Sequence, residues 1–94
     1  MLVVGRHELS AFARAHADAR RSCESWLALT TAASWRRPHD VLAVFPRASA
    51  IGGGIVVFDI KGNDYRLAAR IDFSRGIVRV LRVGTHAEYD HWKL

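Results

Sequence analysis

Residues 65–73 carry the strictest pattern in the chain, an alternation of two sets of side chains. Successive side chains of a β-strand point to opposite faces, so the alternation predicts a strand with one face toward a core. The apolar set comprises Tyr65, Leu67, Ala69, Ile71 and Phe73, and the other set comprises Arg66, Ala68, Arg70 and Asp72. A central strand rarely carries charged side chains unless its face is solvated or binds a ligand. The chain is therefore expected to build a sheet with one accessible, basic face.

Further strands flank this one. Residues 56–60 alternate in the same way and end at a turn over residues 61–64, where Gly and Asn suit positive φ. A turn at residues 74–76 leads into a last strand over residues 77–83. Strands joined by tight turns pair antiparallel, so these three predict an antiparallel sheet. The apolar residues 1–4 predict a short first strand, whereas the three glycines at 52–54 predict a loop.

Two helices are predicted between residues 7 and 33 from apolar residues at helical spacing. The first stripe is Leu9, Phe12, Ala13 and His16, and the second is Ala19, Cys23, Trp26, Thr30 and Ala33. Asp18 precedes the second helix, and its carboxylate is suited to accept the free N–H groups of a helix start. We therefore expect Asp18 to be the N-cap of that helix.

Two shorter helices are predicted from local signals. Pro38 favours a helix start before residues 40–44, and Pro46 blocks its continuation. Thr85 and Glu88 have the spacing of a capping box, which predicts a short C-terminal helix through Asp90.

The order of these elements predicts a single α+β domain over residues 1–94. A chain of 94 residues has room for one small core. Two N-terminal helices without long crossovers can cover only one face of a small antiparallel sheet. The opposite face is expected to stay open and to carry Arg66 and Arg70, an arrangement that suits a phosphate backbone.

The charge balance favours an anionic partner. Fourteen basic residues face nine acidic ones, which gives a net charge of +5 and a pI of about 10.4. Nucleic acid is the first candidate, although an arginine excess can also reflect genome composition. Apolar runs such as Ile55–Phe58 are far below the ~20 residues that span a bilayer, and no secretory leader is recognised. The single Cys23 fits a reducing cytosol and excludes a thiolate zinc cage.

Two groups of residues are candidates for chemistry. Arg66 and Arg70 share a strand face, and guanidinium groups bind phosphate in a fork. Simple alternation places Arg79 and Arg82 on opposite faces of the next strand, so only one is expected to join them. The alternative is that these arginines bind nothing and lie on a solvated sheet face, where arginine is common.

The tail concentrates titratable side chains. Residues 86–91 include His86, Tyr89, Asp90 and His91. On a helix His86 shares a face with Tyr89 and with Asp90, and histidine is a natural acid–base group near neutral pH. The alternative is a polar capping turn with Tyr89 anchored on the core. His86 and Asp90 supply only two metal ligands, so a metal site is weakly indicated and none is expected.

Four segments together resemble a known family. They are Ala33-Ser-Trp-Arg-Arg-Pro38, Val57-Phe-Asp-Ile-Lys-Gly-Asn63, Tyr65-Arg-Leu67 and Val83-Gly-Thr-His-Ala-Glu-Tyr-Asp90. In this order and spacing the chain resembles the HigB-family toxins of type II toxin–antitoxin systems, in the RelE/ParE superfamily. The resemblance implies a RelE-like fold and a cytoplasmic, ribosome-dependent endoribonuclease that cuts mRNA and stops translation. It also implies a HigA-type helix-turn-helix antitoxin, through which alone the toxin would meet operator DNA.

The resemblance also assigns roles to residues. RNA cleavage in this superfamily needs no metal or other cofactor. Arg66 matches the position that holds the scissile phosphate, and His86 and Tyr89 match the acid–base pair, with their individual roles unassigned. Asp90 is expected to orient His86. The weaker candidates for contacts with the RNA backbone are Lys61, Arg70 and Arg82.

This chain also departs from the family. Asp59 and Asp64 stand where relatives often carry Asn and Lys, and Leu81 stands where relatives often carry Arg. Two other functions stay open at this point. A ParE-like inhibitor would bind a protein target without cleaving RNA, and a basic RNA-binding module would not be toxic.

Overall fold

The computed structural model describes residues 1–94 and contains a five-stranded mixed sheet. The strands are β1 (Leu2–Val4), β2 (Ser49–Gly52), β3 (Ile55–Ile60), β4 (Tyr65–Asp72) and β5 (Ile77–Thr85). The helices are α1 (Arg6–Ala15), α2 (Arg20–Ala32), α3 (Pro38–Val44) and α4 (His86–Tyr89), with a 3₁₀ turn at Ala17–Ala19. The strand order is β1-β5-β4-β3-β2, so β4 is central. No helix combines the length and apolar character needed to cross a membrane.

Two features of the sheet differ from the prediction. The sheet is not purely antiparallel, because β1 pairs parallel with β5 at one edge. The strand β2 was not predicted at all; it pairs only with β3, and all four of its residues are exposed. An edge strand without a buried face shows no alternation of apolar and polar residues, which is why the sequence does not indicate it.

The two long helices, α1 and α2, pack on one face of the sheet. The predicted stripes supply Leu9 and Phe12 from α1 and Cys23, Trp26 and Thr30 from α2 to the interior. The ring of Trp26 packs edge-on against Phe58 of β3, with 5.5 Å between centroids. The apolar face of β4 points into this core, which confirms the alternation of residues 65–73.

The helix starts confirm two predictions and correct one. Pro38 is in the first turn of α3, and Thr85 and Glu88 form the complete capping box of α4. The prediction that Asp18 caps the second helix is wrong. The N-cap of α2 is Ala19 without a side-chain hydrogen bond, and Asp18 lies in the preceding 3₁₀ turn.

A β-bulge changes which side chains of β5 share a face. Arg82 is opposite Ala68 and Val80 is opposite Ala69, so Leu81 is an extra, unpaired residue. The bulge restores the alternation one residue later. The prediction that Arg79 and Arg82 point to opposite faces is therefore wrong. Both lie on the face away from α1 and α2, which we call the outer face; its charged residues are Asp59, Arg66, Arg70, Asp72, Arg79 and Arg82.

The outer face is not as open as the sequence indicated. Helix α4 and the residues after it lie against one end of it: a Cβ added to Gly84 would be 2.8 Å from Cζ2 of Trp92. Trp92 lines a surface cavity together with Ile51 of β2. Ala68 and Val57, which face each other on the outer face, are fully buried. The other end of this face, at Arg70 and Arg79, is exposed.

Candidate active site

Arg66 is the most tightly held cation of the outer face. Its position in β4 is opposite Asp59 of β3 and opposite Gly84 of β5. The guanidinium Nη1 donates to the carbonyl oxygen of Asn63 at 2.8 Å and lies 3.4 Å from Oδ1 of Asp59. Only 13 % of the side chain is exposed. These contacts fix the guanidinium at the end of β4 beside α4.

Tyr89 lies between Arg66 and His86. The Arg66 Cζ atom is 5.8 Å from the centroid of the Tyr89 ring, a cation–π distance. The His86 ring is edge-on to the same tyrosine at 6.4 Å between centroids. The structure therefore brings together the guanidinium, the phenol and the imidazole that the sequence singled out.

The capping box determines where His86 lies. The Thr85 hydroxyl accepts from the backbone N–H of Glu88 at 3.1 Å, and the Thr85 N–H donates to Oε1 of Glu88 at 2.9 Å. The hydrogen bond from the Thr85 backbone N–H, and then the Thr85 hydroxyl, hold the pKa of the Glu88 carboxyl below its ordinary value. His86 follows as the first residue of α4 with its side chain about half exposed. It can therefore meet a substrate from solvent.

Asp90 lies beside His86, as predicted. Its Oδ2 is 3.9 Å from Nδ1 of His86. That is an ion-pair distance and too long for a hydrogen bond. The carboxylate thus faces the Nδ1 side of the imidazole without a hydrogen bond to it. No group of three or more His, Cys, Asp or Glu side chains is arranged to hold a metal ion.

Lys61 is separated from this group. Its ammonium donates to Oδ2 of Asp18 at 2.9 Å, on the side of the helices. The Tyr65 hydroxyl donates to the same carboxylate, at 2.8 Å and 2.9 Å from its two oxygens. The hydrogen bonds from Lys61 and then Tyr65 lower the pKa of Asp18, and the Asp18 carboxylate raises the pKa of Lys61.

The turn over residues 61–64 joins Asp18 to the candidate site. The carbonyl of Asn63 accepts from Arg66, and the carbonyl of Asp64 accepts from the backbone N–H of His86 at 3.3 Å. Lys61 fastens the first residue of the turn to Asp18. One short turn therefore contacts both Arg66 and His86.

The comparison with known families identifies the family of the chain. A family model described as HigB_toxin, RelE-like toxic component of a toxin–antitoxin system, matches residues 19–92. The chain belongs to the HigB toxin family. It is thus the toxin of a toxin–antitoxin system, and an antitoxin partner follows from that membership. The α+β architecture is consistent with a RelE-like fold. No curated protein matches the chain.

The two other arginines that the sequence singled out for RNA contacts, Arg70 and Arg82, also lie on the outer face. Both are exposed; Arg82 lies opposite Ala68, and Arg70 lies beyond Ala68 from Arg66. Arg70 is four positions along β4 from Arg66, about 13 Å at the usual rise. No hydrogen bond or salt bridge joins Arg70 or Arg82 to Arg66, His86 or Tyr89.

Sequence reasoning missed two residues of the site. Trp92 is edge-on to Tyr89 at 5.6 Å and covers Gly84. Arg47 lies 3.6 Å from Oδ2 of Asp59, so this carboxylate is shared by two arginines. No sequence pattern indicates either residue, because Trp92 lies after helix α4 and Arg47 lies before the unpredicted strand β2.

Proposed function

We propose that this toxin is a ribosome-dependent endoribonuclease that cuts mRNA and stops translation. The observation that carries the proposal is the convergence of Arg66 and His86 on Tyr89 at one end of the outer face. A guanidinium, an imidazole and a phenol supply the charge stabilisation and the proton transfers that RNA cleavage requires.

The reaction proceeds through the ribose next to the cut. A base removes the proton of the 2′-OH, and the 2′ oxygen attacks the adjacent phosphorus. The bond to the 5′ oxygen breaks as an acid protonates that oxygen. The products are a 2′,3′-cyclic phosphate and a 5′-OH end, and no water or metal is consumed. His86 and Tyr89 form the acid–base pair, and Asp90 orients His86 from the side of its Nδ1 atom.

Arg66 binds the scissile phosphate in this proposal. Its guanidinium lies against Asp59, so an incoming phosphate has to displace that carboxylate from Arg66. Arg70 and Arg82 contact the RNA backbone farther along the face. Lys61 belongs to the RNA contacts only when its ammonium leaves Asp18.

The proposed function also implies the partners of the toxin. The ribosome presents the mRNA in the cytoplasm, and a HigA-type antitoxin with a helix-turn-helix neutralises the toxin. Operator DNA is contacted through that antitoxin. Neither a membrane nor a cofactor takes part.

The test uses purified toxin and ribosomes carrying a defined mRNA. We expect new 5′-OH ends with wild-type toxin and none with Arg66→Ala or His86→Ala, whose circular dichroism should match the wild type. Halted translation with intact transcripts would instead support a ParE-like inhibitor that binds a protein target. Normal growth after expression of the chain without antitoxin would support a non-toxic RNA-binding module.

A further inference from the structure

Arg70 and Arg79 lie directly opposite each other on β4 and β5. Both side chains are exposed on the outer face. Like charges at directly opposite positions of an antiparallel pair repel each other. This repulsion between the two guanidinium groups is unfavourable in the free protein, and an anion bound over them would offset it.

Arg82 adds a third charge to this pair. The bulge at Leu81 turns Arg82 to the same face, opposite Ala68. Ala68 is two residues from Arg70 on β4, so its side chain is the next one along this face. Arg70, Arg79 and Arg82, which we call the arginine triad, thus share one surface.

No acid compensates the arginine triad. None of the salt bridges in the protein includes these three residues. Asp72 is the nearest acid along β4, and it accepts from the Ser74 hydroxyl and the Arg75 backbone. These hydrogen bonds lower the pKa of Asp72 and keep its carboxylate at the turn. Asp59 at the other end is occupied by Arg66 and Arg47.

We propose that the arginine triad is a second phosphate-binding site, which grips the RNA backbone away from the scissile phosphate. This inference rests on the proposed function for its substrate. Arg66 and Arg70 follow one strand about 13 Å apart, which suits a linear polyanion rather than a single small anion. Three guanidinium forks on one face of the sheet match phosphate oxygens without reading the bases. Arg79, which simple alternation left uncertain, becomes an RNA-binding residue.

The test measures binding without cleavage. A fluorescent twelve-nucleotide RNA with 2′-O-methyl groups cannot react, so its anisotropy reports affinity alone. We expect Arg79→Gln to weaken binding about tenfold and to reduce the slope of log K against log salt by about 0.7, the value for one lost single-strand contact. The control is Arg20→Gln, which removes the same charge from an exposed position of α2. It should leave that slope unchanged.

A second readout separates binding from structure. Because Arg79 faces a like charge, Arg79→Gln should raise Tm at low salt, and the gain should shrink at high salt. Weaker binding with a lowered Tm would assign Arg79 a structural role and overturn the proposal. Equal binding losses in Arg79→Gln and Arg20→Gln would also overturn it.

Two more outcomes are informative. If Arg79→Gln weakens the complex with antitoxin but not with RNA, the triad is a protein interface and the proposal fails. If wild-type toxin does not cleave mRNA but RNA affinity still depends on Arg79, the nuclease assignment fails and the arginine triad stands.

Discussion

Arg66 and Asp59 face each other across β4 and β3, with 3.4 Å between Nη1 and Oδ1. Both side chains are mostly buried, at 13 % and 20 % exposure. Arg47 approaches the same carboxylate from the segment before β2. The toxin thus carries an internal competitor for the guanidinium that is proposed to hold phosphate.

Asp59→Asn should therefore strengthen phosphate binding at Arg66. The amide keeps the shape of the side chain but loses its charge, so a phosphate no longer displaces a carboxylate. We expect RNA affinity to rise about fivefold, which corresponds to ~1 kcal/mol. Anisotropy with non-cleavable RNA measures the change. Glu24→Gln on α2 removes an equal charge elsewhere and is the control; equal gains in both variants would contradict local competition.

Asp18→Ala should loosen the turn that contacts both Arg66 and His86. Without the carboxylate, Lys61 and Tyr65 lose their shared acceptor. We expect slower cleavage without a loss of RNA affinity, because the released Lys61 ammonium is then free to contact the RNA backbone. Single-turnover cleavage and anisotropy separate the two quantities. A gain of affinity with an unchanged rate would instead make the release of Lys61 the relevant effect.

The same substitution predicts a pH dependence of stability. The pKa of Asp18 is lowered in the folded protein, so its stabilising contribution is present above the ordinary carboxyl value of 3.8. It is lost as the pH falls through the lowered pKa. The Tm difference between wild type and Asp18→Ala should be largest near neutral pH and vanish in acid. A difference that persists below that pKa would refute the hydrogen-bonded carboxylate.

Gly84→Ala should displace Trp92. The added Cβ would lie 2.8 Å from Cζ2 of Trp92, which is closer than carbon atoms approach. We expect a cost of about 1–3 kcal/mol and a shift in tryptophan fluorescence. In a Trp92→Ala background the second substitution should cost much less, because the clashing ring is gone. An equal cost in both backgrounds would show that Trp92 does not cover Gly84.

Thr85→Ala should release the start of α4. It removes the acceptor for the Glu88 N–H, a cap worth about 1 kcal/mol. His86 is the next residue, so cleavage should fall as the helix frays. Thr85→Ser keeps the hydroxyl and should retain both stability and cleavage. Full activity in Thr85→Ala would mean that the capping box does not position His86.

The periodic parts of the fold follow from the sequence, and the irregular parts do not. The stripe through Cys23, Trp26 and Thr30 and the alternation in β4 each bury one face, so pattern and structure agree. The bulge at Leu81 inserts one apolar residue beside another, which leaves no visible signal. Its position depends on register with β4, a relationship between distant residues.

The candidate site shows the same division. His86 and Tyr89 share a helix face, and a helix start at Thr85 is readable from the capping box. The ion pair between Arg66 and Asp59 requires the register of β3 against β4. The prediction that Asp18 caps a helix is wrong because its carboxylate accepts hydrogen bonds from Lys61 and Tyr65, which are distant in sequence, and not from the nearby helix start.

Single-turnover cleavage of ribosome-bound mRNA by Tyr89→Phe and His86→Ala toxins tests the proposed acid–base pair most directly. Acid and base groups each contribute about 10²–10⁴ in rate. We expect the cleavage rate to fall by that factor in both variants while RNA affinity stays unchanged. The wild-type reaction should leave 2′,3′-cyclic phosphate ends. Wild-type rates in either variant would contradict the proposed acid–base pair.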